Sequence, residues 1–137
     1  VLSPVSGGGL LSGVATAVKL TKPGAKVVGV EPELAGDTQE SFRAGNIVEW
    51  PAEKTSRTIC DGLRTQSVGV IPFAHIQKYV ESIVTVSEDE IRRLSCHLGS
   101  TVTHGDSNVC GAQSWSVVYA VTRDRDDASA FLKSFGG

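Results

Sequence analysis

The chain has 137 residues, 40% hydrophobic and 20% charged, a composition typical of one globular domain or of a piece of a larger one. Its 13 Lys and Arg residues are balanced by 15 Asp and Glu residues, and neither half carries the basic excess that binding to nucleic acid requires. No apolar run approaches the roughly 20 residues that span a bilayer, so neither nucleic acid nor a membrane is expected as a partner.

The cysteine content predicts a reducing compartment. Cys60, Cys96 and Cys110 are an odd number without CxxC spacing, which is typical of reduced thiols in a cytoplasmic protein. The chain contains no methionine and opens on an apolar run at residues 1–5 that has the pattern of a strand. We therefore expect a C-terminal portion of a longer domain.

The first elements predict a β-α-β unit. The apolar run at residues 1–5 is followed by three glycines, and residues 10–20 then place apolar side chains at helical spacing. Residues 26–31 are nearly all apolar, as in a strand that is buried on both faces of a parallel sheet. This order predicts an α/β fold with a right-handed crossover between the two strands.

Further elements alternate along the rest of the chain. The pattern predicts a short helix over residues 36–44, a helix over 73–83 and a strand over 83–86. Ser87 and Glu90 form a capping-box motif at the start of a helix that runs through residue 98. Beyond it we expect a strand over residues 114–122 and a closing helix over 126–135.

The glycine run Gly7-Gly8-Gly9 is the main candidate binding feature. It lies between a predicted strand and the start of a helix, where free N–H groups and the helix dipole attract an anion. A side chain would hold a phosphate away, whereas glycine lets the backbone approach it. A tight turn that binds no ligand is the alternative.

Several motifs in order resemble one enzyme family. They are PVSGGGLLSG at residues 4–13, VGVEP at 28–32, TICDGLRT at 58–65 and IVTVSEDEI at 83–91. Together they are similar to the serine racemase and threonine dehydratase group of fold-type II pyridoxal-phosphate enzymes. The resemblance implies an incomplete three-layer parallel-sheet large domain, tryptophan synthase β-like, with a cofactor-binding segment at residues 1–98 and a divergent C-terminal segment at residues 99–137.

The resemblance also implies a function and a cofactor site. Backbone N–H groups of the glycine loop would hold the 5′-phosphate of pyridoxal phosphate, namely those of Ser6, Gly7, Gly8, Gly9 and Leu10. The activity implied is dehydration and deamination of L-threonine or L-serine, or racemisation of serine, on a small hydroxy amino acid substrate. Family members are commonly homodimers, so a homodimer is implied as well.

A cation site is a second candidate. Glu31 and Asp37, with a turn carbonyl between them, offer the hard oxygen ligands that suit Mg²⁺ or Ca²⁺. The spacing of Glu31, Ala35 and Asp37 resembles the cation site of serine-racemase-like enzymes. Two solvated carboxylates in a loop are the alternative.

Other implied residues are ambiguous or lie outside the matched motifs. Thr65 stands where the racemases place a hydroxyl that faces the substrate, although an ordinary turn threonine is an equal alternative. The lysine that binds the cofactor covalently belongs N-terminal to the glycine loop, so we expect this chain alone to be inactive. A non-catalytic fragment, or an α/β phosphate-binding module without lyase activity, remains the alternative function.

Overall fold

A computed structural model describes residues 1–97 of the chain, with the side chains of residues 1–93. Its sheet has three strands in the order β1-β2-β3, namely β1 (Leu2–Pro4), β2 (Val28–Pro32) and β3 (Ser82–Val86). Both strand pairs are parallel, with Val30 of β2 opposite Pro4 on one side and Val84 on the other. The prediction of a parallel α/β fold is confirmed.

Helices connect and flank these strands. They are α1 (Gly9–Thr21), α2 (Asp37–Ala44), α3 (Ala52–Thr55), α4 (Val70–Tyr79) and α5 (Glu88–His97). Single 3-10 turns at Glu33–Ala35 and Asp61–Leu63 lie between them. The predicted strand over residues 114–122, the predicted helix over 126–135 and the segment boundary at residue 98 lie outside the described residues.

Apolar side chains cover both faces of the sheet, which explains why β2 is buried along its whole length. On one face Ile83 packs with Leu11 and Ala15 of α1 and with Phe73 and Ile76 of α4. A second cluster covers the other face and contains Val30, Cys60, Leu63, Val86 and Ile91. A strand between two such layers must be apolar on both sides, as the continuous hydrophobic pattern of residues 26–31 predicts.

Gly29 lets α1 approach the sheet closely. A Cβ atom built at this position would lie 2.8 Å from Val5 Cγ2 and 2.9 Å from Leu11 Cδ2, distances that side chains do not adopt. The absence of a side chain on β2 therefore fixes how near the first turn of α1 lies to the sheet, and with it the position of the glycine loop.

Helix α4 differs from the helix predicted over residues 73–83. It starts at Val70 and ends at Tyr79, and Val80 already has an extended backbone. The apolar spacing continued past the end of the helix because Val80 and Ile83 are buried in the same cluster as Phe73 and Ile76. Burial thus extended the helical pattern into the turn and into β3.

The carboxyl ends of the three parallel strands lie at one edge of the sheet, and each leads into a different connection. β1 leads to the glycine loop, β2 to the turn that carries Glu33, and β3 to the start of α5. None of the helices within residues 1–97 has the length and apolar character needed to cross a membrane.

Candidate functional site

The glycine loop connects β1 to α1 at the edge of the sheet where ligands bind in parallel α/β folds. Gly8 is the N-cap residue of α1 and has a left-handed backbone, with φ of 87°. Among the side chains of residues 1–93, none caps this helix end. The first turn of α1 therefore presents the positive end of the helix dipole without a protein group to neutralise it.

Each carbonyl oxygen of the loop lies within hydrogen-bonding distance of a protein donor. The Thr38 hydroxyl lies 3.4 Å from the Ser6 carbonyl oxygen, and the Gly69 N–H donates to the Gly7 oxygen at 3.1 Å. Ser12 donates to the next two carbonyl oxygens. Its N–H donates to the Gly8 oxygen and its hydroxyl to the Gly9 oxygen, both at 2.9 Å.

The amide groups of the same loop have no such partners. Within residues 1–97, no hydrogen bond uses an N–H of the five-residue segment that is predicted to hold phosphate, namely Ser6, Gly7, Gly8, Gly9 and Leu10. In a trans peptide the carbonyl and the following N–H point in opposite directions. Because the four carbonyls are anchored in the protein, the N–H groups of the next four residues are directed away from it, as anion binding requires.

The three glycines are needed for different reasons. A Cβ atom at Gly8 would lie 2.7 Å from Val68 Cγ2, and the positive φ disfavours any L side chain there. With respect to residues 1–93, a Cβ atom at Gly9 would have nothing within 4 Å, and one at Gly7 would meet only Thr65 Cγ2 at 3.9 Å. The fold therefore requires glycine at position 8, whereas the space at Gly7 and Gly9 is left open.

Thr65 lies beside this loop, as the resemblance implies. The Ser6 hydroxyl donates to Thr65 Oγ1 at 3.1 Å, although 59 residues separate the two in sequence.

The turn that carries Thr65 is braced by the Arg64 guanidinium, which donates to the Thr58 carbonyl from Nε at 3.0 Å and from Nη2 at 2.8 Å. Glu88 at the start of α5 accepts the Ile59 N–H at 2.9 Å. Thr65 is thus held against the open side of the glycine loop.

The candidate cation ligands are buried rather than solvated. Glu31, Ala35 and Asp37 are each at most 2% exposed. Glu31 also has a function that the sequence analysis missed, because its carboxylate accepts the Gln39 N–H at 2.7 Å and the Thr38 N–H at 3.3 Å. Glu31 of β2 therefore caps the N-terminus of α2 from the neighbouring strand.

Burial makes both carboxylates resist ionisation. Burial, and secondarily the charge of Asp37, raise the pKa of Glu31 well above its usual value, opposed by the two N–H donors. Burial also raises the pKa of Asp37, from 3.8 to about 6. No Lys, Arg or His of the described chain forms an ion pair with either group.

A bound cation would offset the cost of burying the Glu31 and Asp37 carboxylates, and their oxygen atoms are suitable ligands for one. The part of the chain that the structure describes has no cluster of three or more His, Cys, Asp or Glu residues that could hold a metal ion. Two carboxylates with carbonyl and water ligands remain a set that hard cations such as Mg²⁺ accept. Ala35 lies between the two acids in the 3-10 turn.

Sequence reasoning missed the groups that orient the loop. Thr38 and Gly69 anchor its carbonyls from 32 and 62 residues away in sequence. No local pattern marks such contacts, because the sheet and the α1–α4 packing bring the segments together. Ser12 is the exception, since a serine in the first turn of a helix is a recognisable local donor.

Comparison with known proteins agrees with this geometry. The sequence model of the family described as pyridoxal-phosphate dependent enzyme matches residues 1–128. The chain belongs to this family. The match extends past residue 98, while the proposed division of the domain at that point remains a prediction.

Individual relatives belong to the group that the motifs indicate. The chain is 49% identical over 88 residues to L-threo-3-hydroxyaspartate ammonia-lyase of Saccharomyces cerevisiae, covering 64% of this chain and 26% of that protein. It is 46% identical over 87 residues to serine racemase of Schizosaccharomyces pombe, again covering 64% of this chain and 26% of the relative. The chain thus spans about a quarter of the length of these curated relatives.

Solved structures show the same fold. A threonine deaminase of T.th. superposes with a TM-score of 0.78 at 35% identity, covering 93% of this chain and 44% of that one. Maize serine racemase superposes with a TM-score of 0.71 at 30% identity, covering 87% of this chain and 35% of that one. The expected fold of a fold-type II pyridoxal-phosphate enzyme is confirmed.

The residues present fit the phosphate of the family's cofactor. The glycine loop offers unpaired amides, a bare helix N-terminus and space at Gly7 and Gly9 that side chains would fill. These are the features that bind a phosphate monoester at the start of a helix.

Proposed function

We propose that the glycine loop binds the 5′-phosphate of pyridoxal phosphate through the N–H groups of Ser6, Gly7, Gly8, Gly9 and Leu10. The observation that carries this proposal is the division of the loop into anchored carbonyls and unpaired amides. An array of converging amides at a helix N-terminus stabilises a phosphate dianion without a basic side chain.

The activity that we propose for the protein is β-elimination of water from L-serine or L-threonine, followed by hydrolysis of the resulting imine, which takes up one water and releases ammonia and a 2-oxo acid. Racemisation of serine is the close variant. The names of the relatives support this substrate class. The bound cofactor supplies the electron sink that acidifies the α-proton of an amino acid. This chain contributes the phosphate anchor, which fixes the cofactor ring relative to the substrate.

Thr65 is proposed to contact the substrate. Its hydroxyl lies at the side of the glycine loop, within hydrogen-bonding distance of Ser6 Oγ at 3.1 Å. When the Ser6 hydroxyl is the donor in this contact, the Thr65 hydroxyl can donate its own proton to a carboxylate or hydroxyl of a bound amino acid. The braced turn keeps that hydroxyl in place.

Glu31, Ala35 and Asp37 are proposed to bind Mg²⁺ or Ca²⁺. The support is a buried pair of carboxylates without a basic partner in the described chain. The cation would neutralise the pair and stabilise the connection between β2 and α2. We also propose a homodimer, following the family resemblance, and a cytoplasmic location, following the cysteine pattern.

The test is a ligand titration of the full-length protein with pyridoxal phosphate, pyridoxal and inorganic phosphate. Tight binding of pyridoxal phosphate, with much weaker binding of pyridoxal, is expected if the loop holds the phosphate group. Formation of 2-oxo acid and ammonia from L-serine, L-threonine and L-threo-3-hydroxyaspartate, and of D-serine from L-serine, then measures the activity.

Two results would contradict the proposal. Equal affinity for pyridoxal phosphate and inorganic phosphate would indicate a general anion site. Tight pyridoxal phosphate binding without turnover of any of these amino acids would support a non-catalytic member of the family.

A further inference from the structure

Thr38 touches both the glycine loop and the acidic pair. It is fully buried at the second residue of α2. Its hydroxyl lies 3.4 Å from the Ser6 carbonyl oxygen and 3.5 Å from Asp37 Oδ2, and its N–H donates to Glu31 Oε1 at 3.3 Å. One side chain therefore joins the two candidate sites.

The hydroxyl has one proton, so it donates to one of these two oxygens at a time. A charged carboxylate is the stronger acceptor when its charge is not otherwise compensated. A divalent cation at Glu31 and Asp37 would withdraw electron density from the Asp37 carboxylate and weaken it as an acceptor. The Thr38 proton would then be free to move to the Ser6 carbonyl.

Whether the Thr38 hydroxyl donates to Asp37 or to the Ser6 carbonyl affects the phosphate site through the peptide bond between Ser6 and Gly7. Because the Ser6 carbonyl and the Gly7 N–H point in opposite directions, a donor on the carbonyl directs the Gly7 N–H outward. Polarisation of the carbonyl also makes the amide of the same peptide a better donor. The proton position on Thr38 thus sets how well the loop binds an anion.

We propose that Thr38 is a positioning residue that couples cation binding at Glu31 and Asp37 to phosphate binding at the glycine loop. This inference rests on the proposed function of both sites. Such coupling is reciprocal, so bound phosphate raises the affinity for the cation by the same factor. Both contacts are at the long end of the hydrogen-bond range, so we expect a factor of about five, at the low end of observed couplings.

The test measures dissociation constants of the full-length protein for pyridoxal phosphate and pyridoxal, with and without Mg²⁺. In the natural protein and in Thr38→Ser, Mg²⁺ is expected to tighten binding of pyridoxal phosphate about fivefold. Thr38→Val keeps the shape but lacks the hydroxyl, so its affinity should not respond to Mg²⁺. Pyridoxal has no phosphate, so its affinity should be the same in every case.

A second measurement needs no variant. In the natural protein, saturating pyridoxal phosphate should tighten Mg²⁺ binding by the same factor that Mg²⁺ tightens the cofactor. An unchanged Mg²⁺ affinity, or a Thr38→Val protein with the full Mg²⁺ response, would overturn the coupling and leave the proposed function intact. Failure of the natural protein to bind pyridoxal phosphate would overturn both.

Discussion

Two helix N-termini at the same edge of the sheet differ in capping: α5 has a side-chain cap and α1 has none among the described residues. At α5, Glu90 accepts hydrogen bonds from the N–H and the hydroxyl of Ser87 at 2.8 and 2.7 Å, and the Ser87 hydroxyl lies 3.4 Å from the Glu90 N–H. At α1, the N-cap residue is Gly8, and no side chain contributes a cap. The capping box predicted from the sequence is confirmed, whereas its counterpart at α1 is left open.

From this difference we propose that the carboxyl end of β1 is where a ligand binds. Each helix start has N–H groups that need an acceptor. At α5 the Glu90 N–H lies 3.4 Å from the Ser87 hydroxyl oxygen, and at α2 the N–H groups of Thr38 and Gln39 donate to Glu31 of β2. Of these three helices, within residues 1–97, α1 is the one whose first turn has no side-chain acceptor for an N–H group, and we propose a bound anion as that acceptor.

The largest effect is expected from Gly8→Ala. The new Cβ would lie 2.7 Å from Val68 Cγ2 in a backbone with φ of 87°, which combines strain with overpacking. We expect a loss of about 3 kcal/mol in the free energy of unfolding, measured by urea denaturation. Stability within error of the natural protein would contradict the left-handed N-cap at α1.

Asp37→Asn tests the acidic connection through pH. Because the pKa of Asp37 is raised from 3.8 to about 6, the folded state binds a proton more tightly than the unfolded state. The free energy of unfolding should therefore fall as the pH rises from about 4 to about 6 in metal-free buffer. Asp37→Asn should remove this part of the pH dependence.

Comparison of the two denaturation series isolates the contribution of Asp37 from those of the other carboxylates. Added Mg²⁺ should restore stability to the natural protein above pH 6 but not to Asp37→Asn, because the variant lacks a charged ligand. Identical pH profiles would show that this carboxylate is not desolvated.

Gly9→Ala separates binding from folding. Glycine is unfavourable within a helix, and a Cβ atom here meets nothing within 4 Å, so stability should be unchanged or rise by about 0.5 kcal/mol. The methyl group would enter the open side of the loop, and the affinity for pyridoxal phosphate should fall about tenfold, or about 1.4 kcal/mol. Titration of the cofactor measures this, and an unchanged affinity would place the phosphate away from Gly9.

The smallest effects come from two matched serines. Ser87→Ala removes the cap of α5 and should cost about 1 kcal/mol of stability, without changing cofactor affinity. Ser12→Ala removes the hydroxyl that donates to the Gly9 carbonyl. It should weaken cofactor binding, with only a small change in the melting temperature. If Ser87→Ala weakened cofactor binding and Ser12→Ala did not, the proposal that α1 binds the cofactor phosphate and α5 does not would be wrong.

Short-range spacing in the sequence is enough to predict the parallel α/β class, the glycine loop and the cap of α5. Continuous apolar residues at 26–31 predict a strand between two layers, and Ser87 with Glu90 predicts a helix start. The family motifs also predict where Thr65, Glu31 and Asp37 stand along the chain. The strand and the helix cap were predicted correctly because neighbouring residues produce both; the functions of Thr65, Glu31 and Asp37 remain predictions.

The orientation of the glycine loop and the surroundings of Glu31 and Asp37 depend on long-range contacts that no local pattern records. Thr38 and Gly69 hold loop carbonyls across 32 and 62 residues of sequence, and Glu31 caps a helix instead of lying in solvent. Burial of Val80 and Ile83 in the core continues the apolar spacing beyond the end of α4, so the spacing alone did not locate that end. These outcomes depend on which segments the sheet brings into contact, and local spacing contains no record of that.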